Sequence, residues 1–381
     1  MAKRRCIVLG CGLVGATIAR DLAADETLDV AVADLSPRNL ARVQGTANLR
    51  TVEADLGKSE SVAALIKDFD LVAGAMPSVL GRMVLKTVIE AGKPFADISF
   101  MAEDALELDS LAKERGVTAV VDCGVAPGLA NMIIGYCASQ LDQTDEVVFY
   151  VGGLPKHPKW PYLYKAPFAP SDVIEEYTRP ARMKENGKIV AKPALSEPEI
   201  LEFPRAGKLE AFNTDGLRSL LTTIDCPNMR EKTLRYPGHI ELMRVLRETG
   251  FFGKDVIDAR GVKVRPLDVT SKLLFPMWEA APGEEEFTVL RVIVAGRKGE
   301  KRLRYTYDLY DENDAKTGQS SMARTTGFPC ALVARMLARG EISQKGVLAP
   351  EMLGKEAGLL ERIRKGLKAR GVTITDVTES I

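Results

Sequence analysis

Residues 6–15, Cys-Ile-Val-Leu-Gly-Cys-Gly-Leu-Val-Gly, constrain the chain more than any other stretch. An apolar run breaks into Gly10-x-Gly12-x-x-Gly15 and passes into a helical pattern over Ala16–Ala24. A parallel strand buried on both faces reads as such a run. Gly10 permits a tight turn, Gly12 lets backbone approach a diphosphate, and Gly15 lets the helix lie close to the strand. The helix N-terminus then offers N–H groups and a positive dipole end to an anion. Three glycines alone are weak, because glycine is common. Here a second apolar strand, Asp29–Ala33, ends in Asp34, about twenty residues on, where a carboxylate accepts hydrogen bonds from ribose hydroxyls. That carboxylate also repels a 2′-phosphate, so the fingerprint favours NAD over NADP, while Arg38 nearby keeps the phosphorylated cofactor open.

The same alternation continues. Asn48–Glu53, Asp70–Ala75, Pro94–Ile98 and Val117–Val121 read as strands. Between them lie helical patterns over Ser59–Lys67 with Ser59 as N-cap, Leu80–Ala91 stopped by Gly92, and Glu103–Arg115 stopped by Gly116. Six strands with intervening helices predict an α/β fold, a Rossmann-type doubly wound parallel sheet over residues 1–125. Ligands of such sheets bind at the carboxyl ends of the strands. The expected cofactor residues are therefore Gly10, Gly12, Leu13, Val14 and Gly15 at the pyrophosphate and Asp34 at the ribose. Asp55 and Leu56 are expected on the adenine side, Ala75, Met76 and Pro77 toward the nicotinamide, and Ser99 as a further cofactor-binding residue.

The pattern changes after residue 125. Asp145–Val151 reads as a strand running into Gly152-Gly153-Leu154-Pro155, followed by a loop rich in proline and aromatics. Phe287–Val294 and Arg302–Tyr310 flank Arg297-Lys298-Gly299-Glu300, and in the second run apolar and polar residues alternate. That period of two fits an antiparallel hairpin with one wet face. Residues 126–320 are thus expected to form a second α+β domain on a mostly antiparallel sheet. Such a sheet is often shared in a dimer. Ser321–Arg339 reads as a helix opening a segment, 321–381, that returns to the first domain.

With 381 residues, 46% of them hydrophobic, the chain can bury cores for two domains. Its formal net charge is zero, so no field draws it to nucleic acid or to an anionic membrane. No apolar stretch is long enough to span a bilayer. The first strand begins within a few residues of Met1, leaving no room for a cleavable signal, so a cytoplasmic protein is expected. Six cysteines show no metal-ligand spacing and there are only two histidines, so no metal site is expected.

Four polar clusters in the second domain mix Arg or Lys with an aromatic or a glycine: residues 162–165, 175–182, 212–218 and 233–239. An amino-acid site needs Arg for the carboxylate, an acid for the ammonium, and a base titrating near neutrality. Each cluster alone also fits a solvated loop, and His239 fits a core histidine equally well. Spacing does not show whether the clusters converge.

The residues also carry a resemblance. Val-Gly-Gly-Leu-Pro (151–155), Tyr164-Lys165, Ile-Glu-Glu-Tyr-Thr-Arg-Pro-Ala-Arg (174–182) and Thr-Asp-Gly-Leu-Arg-Ser (214–219) are matching segments. So are Thr-Leu-Arg-Tyr-Pro-Gly-His (233–239), Ser-Met-Ala-Arg-Thr-Thr-Gly (321–327) and Val-Ala-Pro-Gly-Leu (125–129). In order, and with the glycine turn, they resemble the saccharopine dehydrogenase-related family, most of all its NAD-dependent L-lysine 6-dehydrogenase branch. Saccharopine reductases carry Cys and Asp where this chain has Val151 and Ala126. Relatives have Trp-Ser-Pro where this chain has Phe168-Ala169-Pro170. The resemblance implies a homodimer and oxidative deamination of L-lysine at its ε-carbon. It places substrate binding at Tyr164, Arg179, Arg218 and Arg235, with Lys165, Asp215 or His239 taking the proton. A dehydrogenase for saccharopine or carboxynorspermidine, acting on a secondary amine, is the alternative enzyme. A non-catalytic NAD/NADH sensor is the alternative of another class.

Overall fold

The computed structural model describes residues 3–168, 170–281 and 283–381. In chain order its strands are β1 (Arg4–Leu9), β2 (Leu28–Asp34), β3 (Leu49–Glu53), β4 (Leu71–Gly74), β5 (Phe95–Asp97), β6 (Thr118–Val120), β7 (Gln143–Pro155), β8 (Ala181–Glu185), β9 (Lys188–Lys192), β10 (Glu199–Phe203), β11 (Gly207–Asn213), β12 (Asn228–Arg235), β13 (Ile257–Ala259), β14 (Val262–Val264), β15 (Glu286–Lys298), β16 (Lys301–Glu312), β17 (Gly346–Leu348) and β18 (Ile374–Ser380). Two compact units divide them. The first takes the chain to Gln140, with Thr222–Ile224 and Ala323–Thr373; the second takes Leu141–Leu221, Asp225–Met322 and Ile374–Ile381.

The first unit is a parallel sheet in the order β17-β6-β5-β4-β1-β2-β3. Its order reverses between β4 and β2, on either side of β1, as in a doubly wound fold. Ile7, Leu9, Ala31, Ala33, Val72, Phe95 and Ala119 supply the strand side of one core cluster, and Val84, Leu85, Val88 and Ile89 of helix Ser78–Glu90 pack onto it. The sheet has a seventh strand beyond the six expected, β17, which pairs with β6. The expected helix Glu103–Arg115 is instead a 3-10 turn, Ala105–Leu108, and a short helix, Asp109–Glu114. Asp104 accepts the Leu106 N–H and sets the turn. Ser59 is the first helical residue rather than the N-cap, a place taken by Lys58.

The domain boundary also differs from the expected residue 125. Helix Leu129–Gln140 belongs to the first unit, where it lies against helix Pro350–Gly354. The approach requires glycine, since a Cβ at Gly135 would meet the Glu351 carbonyl oxygen at 2.1 Å. Helix Ser321–Arg339 is bound to helix Leu13–Ala23 through Arg335, whose guanidinium pairs with Asp21 and Asp25. Arg370 adds a second guanidinium to Asp21 at 2.6 Å.

The second unit holds a mixed sheet of order β10-β11-β12-β7-β15-β16-β18, with β8 pairing to β12 and β9 to β8. Every pairing in it is antiparallel except β12 with β7. The β15–β16 hairpin runs from Phe287 opposite Glu312 to Lys298 opposite Lys301. Residues 374–380 do not return to the first unit as expected, because β18 pairs with β16. The small hairpin β13–β14 stands outside the larger sheets. No helix among the described residues is long and apolar enough to cross a membrane.

Candidate functional site

The glycine turn of the first unit is built from backbone. Gly10 has φ +94°, and a Cβ there would meet the Ala75 carbonyl oxygen at 2.4 Å. A Cβ at Gly15 would meet the Gly10 carbonyl oxygen at 2.1 Å. At Gly12 a Cβ would enter open space. Gly12 is also the N-cap of helix Leu13–Ala23, and no side chain caps it. Open ground over first-turn N–H groups fits a dinucleotide diphosphate. Asp34, at the end of β2, is drawn to this turn: its Oδ2 accepts the Cys11 N–H at 2.7 Å and its Oδ1 the Ser36 N–H at 2.8 Å. The Asn39 amide donates to both oxygens at 3.2 Å.

The other expected cofactor residues differ in what they do. Asp55 accepts the Gly57 N–H, closing a turn, and Leu56 is buried in the core. Ala75 continues β4 by donating its N–H to the Leu9 carbonyl, Met76 packs on the core, and Pro77 precedes helix Ser78–Glu90. Ser99 donates its hydroxyl to Asp97 Oδ1 at 2.8 Å. Asp97 was not expected from the sequence. It is 1% exposed, and its Oδ2 has no hydrogen-bond partner among the described residues. Burial pushes its carboxyl up to about 7, and the Asp122 charge acts in the same direction.

In the second unit, Arg235 ends β12 and is 2% exposed. Its Nη2 donates to Glu176 at 2.7 Å and more weakly to the Tyr164 hydroxyl at 3.4 Å. Its Nη1 donates to the Leu234 carbonyl, and its Nε to the Tyr177 hydroxyl at 3.1 Å. The guanidinium lies 4.4 Å above the Tyr164 ring. Burial opposes this charge, but Tyr164, Tyr177 and Glu176 together hold Arg235 protonated more firmly than an ordinary arginine. A relay leaves from it. Tyr177 meets His239 Nε2 at 2.9 Å, and His239 Nδ1 meets the Tyr162 carbonyl at 2.7 Å. A carbonyl only accepts, so Nδ1 carries the proton and Nε2 receives the Tyr177 hydrogen. Burial first, and then the Arg235 charge, push His239 down to about 3. It is a neutral ring whose lone pair is already used, which does not suit a base near neutral pH; it positions Tyr177.

The remaining expected residues make no hydrogen bond to Arg235, the centre of this box, among the described contacts. Lys165 donates to the Met277 and Glu279 carbonyls at 3.0 and 2.8 Å and pairs with Glu284. Asp215 accepts both the Nε and the Nη2 of Arg182 at 2.9 Å. Arg179 lies 3.7 Å from Glu175 on its own helical face. Arg218 sits in the loop after β11 with φ +53°. The structure thus brings Tyr164, Arg235 and His239 together and gives Lys165, Asp215 and Arg179 ion pairs of their own.

Glu176 and Tyr177 fall within the expected cluster 175–182 with no role of their own there, and Glu231 lies outside every expected cluster. Residues alternate across a strand, so Glu231, Thr233 and Arg235 share one face of β12. Glu231 is 3% exposed. Its Oε2 accepts the Thr214 hydroxyl at 2.6 Å and the Gly216 N–H at 3.0 Å, while among the described residues Oε1 takes a 3.5 Å contact from Thr233. A Cβ at Gly216 would strike this carboxyl at 2.6 Å. Burial pushes Glu231 up to about 8, with the Glu176 and Asp215 charges adding to it. The signal available in the sequence was a lone acid at even spacing from Arg235.

The geometry has counterparts among known proteins. The saccharopine dehydrogenase NADP binding domain family matches residues 6–120, and the saccharopine dehydrogenase C-terminal domain family matches residues 124–372. The mitochondrial alpha-aminoadipic semialdehyde synthase of Mus musculus is 24% identical over 97% of this chain and 47% of its own length. The chain therefore spans about half the length of that relative. The carboxynorspermidine synthase of Vibrio cholerae is 23% identical, over 91% of this chain and 92% of its own. The saccharopine dehydrogenase [NADP(+), L-glutamate-forming] of Pyricularia oryzae is 22% identical, over 92% and 94%. The apo saccharopine dehydrogenase (L-Glu forming) of Saccharomyces cerevisiae has the same fold, with a TM-score of 0.81 at 18% identity, over 99% of this chain and all of the other. With both of its units matched, the chain belongs to the saccharopine dehydrogenase family.

Proposed function

We propose that this chain is an NAD-dependent oxidoreductase that deaminates L-lysine at its ε-carbon. The observation that carries the reading is the face of β12. A buried cation, Arg235, and a buried acid, Glu231, lie on it four residues apart, about 13 Å between Cα atoms at strand rise. A linear diamino acid presents a carboxylate to one and a distal ammonium to the other. Val151 and Ala126, where saccharopine reductases carry Cys and Asp, favour the lysine branch. Asp34 beside the glycine turn favours NAD.

Bound NAD supplies the hydride acceptor. The chain supplies the rest. Arg235 anchors the α-carboxylate, held in place by Glu176, Tyr177 and neutral His239. Glu231 takes the ε-ammonium proton once its own carboxyl is ionised, which frees the nitrogen lone pair to stabilise charge developing at the ε-carbon. The imine left behind is hydrolysed by water. In balance, L-lysine, NAD⁺ and water give allysine, ammonium, NADH and a proton, and allysine closes to the cyclic imine. We read the chain as a homodimer as well: among the described residues β13–β14 pairs with no other strand, and Ile257 and Val262 are at least half exposed.

The names of the relatives favour a second reading, a dehydrogenase acting on a secondary amine such as saccharopine or carboxynorspermidine. One assay separates the readings: NADH appearance with L-lysine, saccharopine and polyamines, each offered with NAD and with NADP. L-lysine labelled with deuterium at the ε-carbon is expected to pass the label to NADH. Turnover of saccharopine but not lysine establishes the second reading. Binding of NAD with no turnover on any amine makes the chain a sensor. Light scattering checks the dimer.

A further inference from the structure

Hydrogen-bond accounting around Arg235 leaves donors unsatisfied. The Tyr162 carbonyl is committed to His239 Nδ1, His239 Nε2 to Tyr177, and Glu176 Oε2 to Arg235, which leaves Glu176 Oε1 able to accept. Three donors have no acceptor among the described residues. One is the second hydrogen of Arg235 Nη1, since four of that residue's five N–H groups are engaged. Another is the Tyr164 hydroxyl hydrogen, because Tyr164 is 3% exposed and its oxygen only receives Arg235. The third is the indole N–H of Trp278, which is 0% exposed and has no partner.

Trp278 closes the same box. It ends helix Pro266–Trp278 and stands edge-on to Tyr162, Tyr164 and Tyr177, with ring centroids 6.2, 5.5 and 6.3 Å away. The Arg235 guanidinium lies over two of those rings, Tyr164 at 4.4 Å and Tyr177 at 5.8 Å. The Trp278 carbonyl receives the Ala166 N–H at 2.9 Å, which fixes the helix end against the Tyr164 segment. Native proteins seldom leave a buried donor without an acceptor, because its hydration is lost with nothing in return. Several such donors around one cation describe a place for an anionic acceptor.

We propose that the Trp278 indole N–H is a substrate donor, binding the α-carboxylate of the amino-acid substrate together with Arg235 and the Tyr164 hydroxyl. The Glu176 carboxylate, already on Arg235, then faces the α-ammonium of the same head group. The box is thereby specific for substrates with a terminal carboxylate and excludes plain diamines. This assignment rests on the amino-acid reading of the site.

The test uses the intact protein and needs no turnover. The chain has two tryptophans, Trp160 and Trp278, and Trp160 is 88% exposed. Nitrogen-15 indole labelling therefore gives one signal for the box and one internal control. L-lysine and 6-aminohexanoate, which share the carboxylate, are expected to move the Trp278 N–H signal downfield and leave Trp160 in place. Cadaverine, lysine without its carboxylate, is expected to move neither. No movement with both carboxylates, or equal movement with cadaverine, overturns the proposal. In parallel, Trp278→Phe removes the donor and keeps a ring. It should lower kcat/KM for L-lysine about tenfold or more, the scale of a lost recognition hydrogen bond, through KM rather than kcat. An unchanged KM overturns the proposal too. If lysine yields no NADH while the indole signal still moves, the reaction assigned above fails and the carboxylate site stands.

Discussion

The two sites are made of different material. The turn at Gly10–Gly15 recognises its ligand with main chain, and each glycine has a local reason to be there. The box around Arg235 is assembled from five separated segments: Tyr162–Tyr164, Glu176–Tyr177, Arg235, His239 and Trp278. A backbone site is written in consecutive letters. A side-chain site is written only in the fold that gathers it. The first tolerates changes in neighbouring side chains and no added Cβ, whereas the second depends on the charge and hydrogen-bond count of every member.

The largest break is expected in the box. Arg235→Met leaves Glu176, whose side chain is one-fifth exposed, without its cation, and since removing one partner of a fully buried pair costs about 3–5 kcal/mol, a cost toward the lower end of that range is expected. A large fall in thermal midpoint and loss of most kcat/KM for lysine are expected, with NADH affinity little changed in a fluorescence titration. The matching break in the turn is Gly15→Ala. Its Cβ would lie 2.1 Å from the Gly10 carbonyl oxygen, and overpacking of this kind costs about 1–3 kcal/mol. NADH affinity should fall about tenfold or more, while L-lysine still moves the Trp278 indole signal. If Gly15→Ala weakens both ligands equally, the two sites are not separable as described.

Acid and alkali sharpen the comparison further. His239 is held near 3 in the fold and titrates near 6.5 when unfolded. Its neutral burial is fully stabilising above the unfolded value, and that stability is lost as pH falls from about 6.5 toward 3. Asp97 and Glu231 act in reverse. Held near 7 and 8 against ordinary carboxyl values, each is most stabilising when protonated below its unfolded value, and the stability is lost as pH rises through its folded value. Denaturant titrations should show acid sensitivity diminished in His239→Gln and alkaline sensitivity diminished in Asp97→Asn and Glu231→Gln. Glu231→Gln should also remove an alkaline-rising limb from the pH profile of kcat/KM, which Asp97→Asn leaves in place.

The smallest effect is expected at Lys165. It ties two carbonyls at the end of helix Pro266–Trp278 and is one-fifth exposed, so Lys165→Met should cost about 1 kcal/mol or less and leave kcat within about twofold. A large loss of kcat with unchanged stability would return the proton-accepting role to Lys165.

What the sequence made legible follows the same division. The apolar run at β1, the glycine spacing and Asp34 lie within one supersecondary unit, so local rules reached them. Helix Ser321–Arg339 was readable to the residue, because its apolar period is sustained. The strand Gly346–Leu348 was not, since three residues carry no period and its pairing with β6 is set by the sheet. Residues 374–380 were assigned to the wrong unit for the same reason: their partner, β16, lies some seventy residues away in sequence. In the box, Arg235, His239 and Tyr164 stood out by chemical type. Glu231 and Trp278 did not, because only burial separates an orphaned indole or an up-shifted carboxyl from an ordinary one.

The split membership of the chain bears on how this protein could be recombined. Residues 141–322, apart from the three at 222–224, form an insert within the first unit, and the sheet they build is completed by β18 after the chain has passed through the first unit again. A chimera that exchanged only the insert would inherit its donor's β16 with a foreign edge partner, or with none, and an open strand edge invites pairing between molecules. Exchanging the second unit between relatives therefore calls for two cassettes, 141–322 and 374–380, moved as a pair.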